Sequence, residues 1–275
     1  MNFDINSARE ARLDTPPPPT VLRLLSYNIQ AAIGTSSYHH YVTRSWRHLL
    51  PDWRGLQRLG YIAQVLNHYD LVCLQEVDGG SLRSGFVNQV EYLAEQARFD
   101  YWYQQLNRDL GRFGQYSNGV LSRFVPYEIE DHKLPGLKGR GAIVAKYGNE
   151  RDTLVLVGLH LALSERARFR QLGYIRELIQ HHEHVVVMGD MNCRSDQIID
   201  TPLRDTHLKQ VSGDHHTYPS WNPTRNIDHI LVSPSLKINQ VKVLDYDYSD
   251  HRPIAMEVAL PEGLAAALQP AAKQV

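Results

Sequence analysis

Cysteine is nearly absent. Cys73 and Cys193 are the 2 cysteines in 275 residues, too few for a disulfide framework. Cys73 lies in the apolar run Leu71-Val72-Cys73-Leu74, where a free thiol reads as a small buried hydrophobe. A reduced, cytoplasmic protein is expected. Long apolar runs are also missing. Nothing approaches the ~18 residues of a membrane span, and Met1 to Thr20 lacks the apolar segment of a signal peptide. No sign of charge dominates: 29 Lys and Arg stand against 30 Asp and Glu, a net charge of −1. That balance removes the field by which a strongly basic protein gathers polyanions. With 43% hydrophobic and 21% charged residues, the composition excludes disorder over most of the chain.

Histidine, by contrast, is abundant at 14 residues, and the excess invites a metal or acid–base reading. The chain divides simply. Residues 1–20 end in Pro16-Pro17-Pro18-Pro19, a stiff tract that joins neither helix nor central strand, and are read as a disordered lead. Residues 21–260 show no repeat or linker and form one domain. Residues 261–275 are alanine-rich and read as a tail or short helix outside the core.

Within the domain, apolar runs of strand length recur at 21–29, 70–74, 100–104, 119–121, 142–147, 153–159, 184–188, 227–232, 241–246 and 253–258. Several are continuous rather than alternating, as strands buried on both faces are. Helical spacing appears over 54–69, 87–98 and 164–180, the last opened by the capping residue Ser164 with Glu165 in its first turn. The expected architecture is α/β: two packed mixed sheets flanked by helices, a four-layer sandwich.

Polar residues of particular kinds follow the strands. Asn28 ends the first, Glu76 follows Leu74-Gln75, His160 follows Gly158-Leu159, and Asp190 and Asn192 follow Met188-Gly189. Asp228 and His229 open Ile230-Leu231-Val232, and Asp250 and His251 precede Arg252-Pro253-Ile254. Rigid strand ends can aim such groups at one point, and burying any of them unpaired costs several kcal/mol. The donors are oxygens, without a Cys-x-x-Cys or His-x-x-x-His pair, which suits Mg²⁺, Mn²⁺ or Ca²⁺ better than zinc. Histidine then supplies a base for water or a donor to a charged phosphate oxygen.

The ordered blocks Ser26-Tyr27-Asn28-Ile29, Leu74-Gln75-Glu76-Val77, Gly158-Leu159-His160-Leu161, Gly189-Asp190-Met191-Asn192, Ile227-Asp228-His229-Ile230 and Ser249-Asp250-His251-Arg252-Pro253 resemble the endonuclease/exonuclease/phosphatase superfamily, the DNase I-like fold. Asn118-Gly119-Val120-Leu121-Ser122-Arg123, Arg140-Gly141-Ala142 and Arg170-Gln171 resemble further blocks. The resemblance spans roughly 21–260. It implies a metal-dependent phosphoesterase using Mg²⁺ or Mn²⁺, with Glu76 as principal metal ligand, Asn28 beside it and Asp250 in support. Asp190 and Asn192 would position water and a phosphate oxygen. His251, its tautomer set by Asp228, would be a general base or phosphate contact, and His160 would bind phosphate or protonate the leaving oxygen. The two histidines can exchange roles at this stage. Having His160 at its strand end, the chain looks less like the abasic-site repair branch.

Other residues carry two readings. Asn118, Arg140, His216 and Trp221 are candidate substrate contacts, although Arg140 also reads as a strand brace. His229 reads as structural, and His181, His182 and His184 as a solvated helix end. The segment from Gln30 to Trp53, rich in rings and histidine, is either a functional loop or a surface insertion. For substrate, a small or lipid-linked phosphodiester is expected, and DNA or RNA is the alternative. Arginines and rings near the long segment would serve either single-stranded nucleic acid or a membrane lipid headgroup. No protein partner is implied. A non-catalytic binding protein of the same fold predicts loss of a core polar group, and none is lost.

Overall fold

The computed structural model describes residues 19–32, 53–136, 138–198, 200–210 and 215–271. The lead to residue 18 and most of the ring-rich segment, including His39, His40 and His48, lie outside the described residues.

Two six-stranded sheets form the centre. The first runs in the order β11-β12-β1-β2-β4-β3 and the second β5-β6-β7-β8-β10-β9. The strands of the first are β1 (Val21–Asn28), β2 (Leu71–Asp78), β3 (Tyr101–Asp109), β4 (Gln115–Ser122), β11 (Lys237–Val243) and β12 (Ile254–Ala259). Those of the second are β5 (Pro126–Lys133), β6 (Gly141–Gly148), β7 (Thr153–His160), β8 (His184–Asp190), β9 (Lys209–Gln210) and β10 (Asp228–Val232). Each sheet holds one parallel pair, β1 with β2 and β7 with β8, among antiparallel neighbours. A parallel pair needs a crossover, which a helix supplies. Helix α1 (Trp53–Leu66) makes the first and α3 (Glu165–Ile179) the second. Helix α2 (Gln89–Gln96) lies beside α1, and a single turn, α4 (Ser195–Ile198), follows β8.

Alternate residues of each strand enter different layers. Leu22, Leu24, Leu71 and Cys73 pack with Ile143, Leu156, Met188 and Ile230 between the sheets. Leu25, Tyr27, Val72 and Leu74 pack outward against Leu59, Ile62 and Leu66 of α1 and Val90 and Leu93 of α2. Val155, Val157 and Val187 meet Leu172, Ile175 and Ile179 of α3. The layers are therefore helix, sheet, sheet, helix, and both-face burial explains the unbroken apolar runs. No helix among the described residues is long and apolar enough to cross a membrane.

Three expectations are corrected. Strands β5 and β9 add to the ten, and β11 begins four residues before the apolar run at 241, because exposed edge strands such as β5 alternate polar residues instead of forming a hydrophobic block. The chain after 260 is not outside the core: α5 (Glu262–Ala267) puts Leu264, with Leu268 beyond it, into the inter-sheet layer, and Ala271 N–H donates to the Arg123 carbonyl. His184 belongs to the strand run at 184–188 and not to a solvated helix end. It opens β8, is buried, and its Nδ1 lies 2.9 Å from Ser235 Oγ.

Candidate active site

The two β-α-β units place the carboxyl ends of β1, β2, β7 and β8 at one end of the sandwich. Because β10 and β12 run antiparallel to β8 and β1, their starts lie at that same end. Asp228 pairs with Asp190, and Ser26 with Ile254. Asn28, Glu76, His160, Asp190, Asp228, Asp250 and His251 thereby converge from both sheets.

Local backbone geometry aims them. The β2–β4 register shifts between Leu74 and Val77, and Glu76 has a positive φ of 55°. Such a bulge re-aims a side chain at a strand end. On β8, Gly189 has φ +153°, and a Cβ there would stand 1.9 Å from the Leu159 carbonyl oxygen. Only glycine lets β8 approach β7 so closely just before Asp190.

Asp190 is the hub. Asn28 Nδ2 donates to Asp190 Oδ2 at 3.2 Å, and the Asn192 backbone N–H donates to Oδ1 at 2.9 Å. His160 Nε2 lies 3.4 Å and His251 Nε2 3.9 Å from Asp190 Oδ2. Asn192 Nδ2 donates to the Leu161 carbonyl at 2.9 Å. His251 Nδ1 lies 2.8 Å from Asp228 Oδ2, which also accepts from Thr217 Oγ1 at 2.5 Å. Ser249 Oγ lies 2.7 Å from the Asn28 carbonyl oxygen and 3.2 Å from Asp250 Oδ1, joining β1 to the last block. His160 Nε2 is 3.9 Å from Glu76 Oε1.

The two histidines are driven in opposite directions. Burial lowers the His160 pKa well below the usual range, and the Arg140 guanidinium adds to the effect. Arg140 Nη1 lies 2.6 Å from His160 Nε2 and 2.8 Å from Nδ1, so it donates to a neutral ring. Burial also opposes charge on His251, but Asp228 outweighs it, with Asp190 and Asp250 adding, and holds the imidazolium well above the usual range. Asp190 is pushed up to about 7, by burial first and Asp228 second. Burial and then Asp250 also raise Glu76, whose side chain stays 37% accessible and lines a cleft.

Crowded carboxyls held above their usual range mark a place that gains from a divalent cation. Oxygen donors of Asn28, Glu76, Asp190 and Asp250 suit a hard ion, and Asp228 Oδ1 is buried without a hydrogen-bond partner. Among the described residues, Asp190, Asp228 and His251 form a potential ligating group whose ligand atoms lie within 4.8 Å of one another. It differs from the set Asn28, Glu76 and Asp250 that the resemblance implies.

A cleft of about 450 Å³ opens beside Glu76 and His160. Asn118 and Arg140 line it, as do Asn107, Arg108, Tyr116 and Lys138, which no motif in the sequence singled out. Asn118 Nδ2 also donates to the Gly141 carbonyl at 3.1 Å, tying the two sheets together. His216 and Trp221 are half-buried and do not line this cleft. Their segment instead braces the last block: Ser220 N–H donates to the Asp250 carbonyl at 2.8 Å, and the Tyr218 ring lies 4.9 Å from that of His251. His229 is held by the Cys193 carbonyl at 2.8 Å and Gln210 at 3.3 Å.

The two-sheet sandwich thus carries an acidic, histidine-bearing cleft at its strand ends. The model of the endonuclease/exonuclease/phosphatase family matches residues 25–251, and the chain belongs to that family. Solved structures agree on the fold. An endonuclease/exonuclease/phosphatase from Beutenbergia cavernae superposes with a TM-score of 0.69 at 19% identity, covering 88% of this chain and 72% of that one. A family protein from Bacteroides thetaiotaomicron gives 0.67 at 18%, covering 88% and 96%. A mannosyl-6-phosphatase from the same organism gives 0.63 at 18%, covering 87% and 100%. Comparison with curated proteins finds no match.

Proposed function

We propose that this protein is a Mg²⁺- or Mn²⁺-dependent hydrolase of a small or lipid-linked phosphodiester. The observation that carries the reading is the meeting, at one point, of four oxygen-donor side chains with a neutral His160 and an Asp228-paired His251. Glu76, Asn28 and Asp250 would hold the ion, which when bound neutralises phosphate charge and lowers the pKa of water.

The chain's own groups divide the remaining work. The His251 imidazolium, oriented by Asp228, donates to a non-bridging phosphate oxygen. Asp190, with its elevated pKa, accepts the proton of the attacking water, while Asn28 and the Asn192 N–H hold its two oxygens in place. Neutral His160, with Arg140 behind it, hydrogen-bonds the substrate at the cleft side; as the new P–O bond forms the bond to the leaving oxygen breaks, and that oxygen takes a proton from water in the open cleft beside Asn118.

The test is hydrolysis of bis-p-nitrophenyl phosphate. Glu76→Ala and EDTA should each abolish it, with restoration of the wild type by Mg²⁺ or Mn²⁺. Full activity in EDTA would exclude the reading. Plasmid DNA and single-stranded RNA, run beside lipid and polyol diesters, test the nuclease alternative.

A further inference from the structure

Beyond Glu76 and His160, the cleft runs to the end of β3 and the segment before β6. Its lining contains one carboxylate, Glu76, and three cations, Arg108, Lys138 and Arg140. In a chain of net charge −1 this is a local surplus. Arg140 is engaged with His160. Arg108 and Lys138 are exposed and make no ion pair or side-chain hydrogen bond among the described residues.

Three arginines elsewhere in the fold are committed to partners. Arg83 pairs with the buried Asp78, Arg168 donates to the Leu163 carbonyl, and Arg123 donates to three backbone carbonyls. The stem of Arg108 is nonetheless supported. Gly139 packs against it so that a Cβ there would stand 3.6 Å from Arg108 Cβ and Cδ. A single phosphodiester brings one negative charge, which the ion-binding carboxylate end and Arg140 already answer. Two further cations in the same lining, where Glu76 is the one carboxylate, match a second anion on the same ligand.

We propose that Arg108 and Lys138 form a subsite for a second phosphate, so that the preferred substrate is a phosphoester bearing another phosphate group. The proposal rests on the hydrolase reading of the cleft and narrows its substrate class. The shared chemistry is a bis-phosphate, whether on a nucleotide or on a polyol headgroup.

Calorimetric titration in Mg²⁺ compares two pairs of probes. One is thymidine 3′,5′-bisphosphate against thymidine 5′-phosphate, and the other is myo-inositol 1,4-bisphosphate against inositol 1-phosphate. The bis-phosphate should bind roughly 10-fold more tightly in at least one pair, the scale of one charged hydrogen bond. The pair that shows the gain identifies the source. Arg108→Gln with Lys138→Gln should erase the gain, and Arg108→Lys should retain most of it. Equal affinities within both pairs, or a gain that survives the double substitution, would overturn the subsite. Metal-dependent hydrolysis of bis-p-nitrophenyl phosphate is followed in parallel. Hydrolysis without a bis-phosphate gain removes the subsite alone. A gain without hydrolysis supports the subsite and removes the hydrolase reading.

Discussion

Asp228→Asn isolates the pair that charges His251. The carboxylate oxygen lies 2.8 Å from His251 Nδ1, and both side chains are buried. At an effective dielectric of ~20, unit charges about 4 Å apart attract by ~4 kcal/mol. Desolvation offsets part of this, so removing the charge while keeping the shape should cost about 2–4 kcal/mol in the transition state. That range corresponds to a roughly 30- to 1,000-fold fall in kcat/KM. The assay is bis-p-nitrophenyl phosphate hydrolysis with saturating Mg²⁺, and thermal unfolding checks that the fold survives. A double-mutant cycle decides the route. If Asp228 acts through His251, Asp228→Asn should add little in a His251→Ala background. Full additivity of the two losses would refute the reasoning, as would an Asp228→Asn enzyme within twofold of wild type.

Two predictions concern the frame around the site. Burial raises the Asp78 carboxyl, but the Ser81 N–H and the Arg83 guanidinium outweigh that and hold it below its ordinary value. A depressed carboxyl stabilises the fold above its unfolded pKa near ~3.9 and loses that contribution as pH falls through the folded value. Urea unfolding should therefore show Asp78→Asn less stable at pH 7, with the gap to wild type closing toward pH 2. A gap that is constant with pH would show the charge is immaterial. Gly189→Ala should cost about 3 kcal/mol or more, since its Cβ meets a backbone carbonyl that cannot swing aside. An unchanged melting temperature would contradict the β7–β8 approach described above.

Much of the site was legible because its members are neighbours of apolar strands. Asn28, Glu76, His160, Asp190, Asp228 and His251 each stand at the edge of a run that water excludes, and such a boundary is visible in one dimension. Edge strands were harder. The β5 segment Pro126–Lys133 carries Glu128, Glu130, Asp131 and Lys133 and has little to bury, so no hydrophobic period marks it. The run at 184–188 marked the strand that His184 opens, but not that its ring is buried against Ser235, which is 51 residues away. Arg108 and Lys138 belong to no motif. Their shared cleft exists because β3 of one sheet ends beside the segment entering β6 of the other.

By itself the sequence determined the layered α/β class, the strand-end positions of the polar blocks and the preponderance of oxygen donors among them. These follow from local patterning and donor chemistry. Only the tertiary structure decided how the histidines differ. Burial and Arg140 keep His160 neutral, while Asp228 holds the proton on His251. Protonation depends on the charges that folding brings within a few ångströms, and those come from strands far apart in the chain.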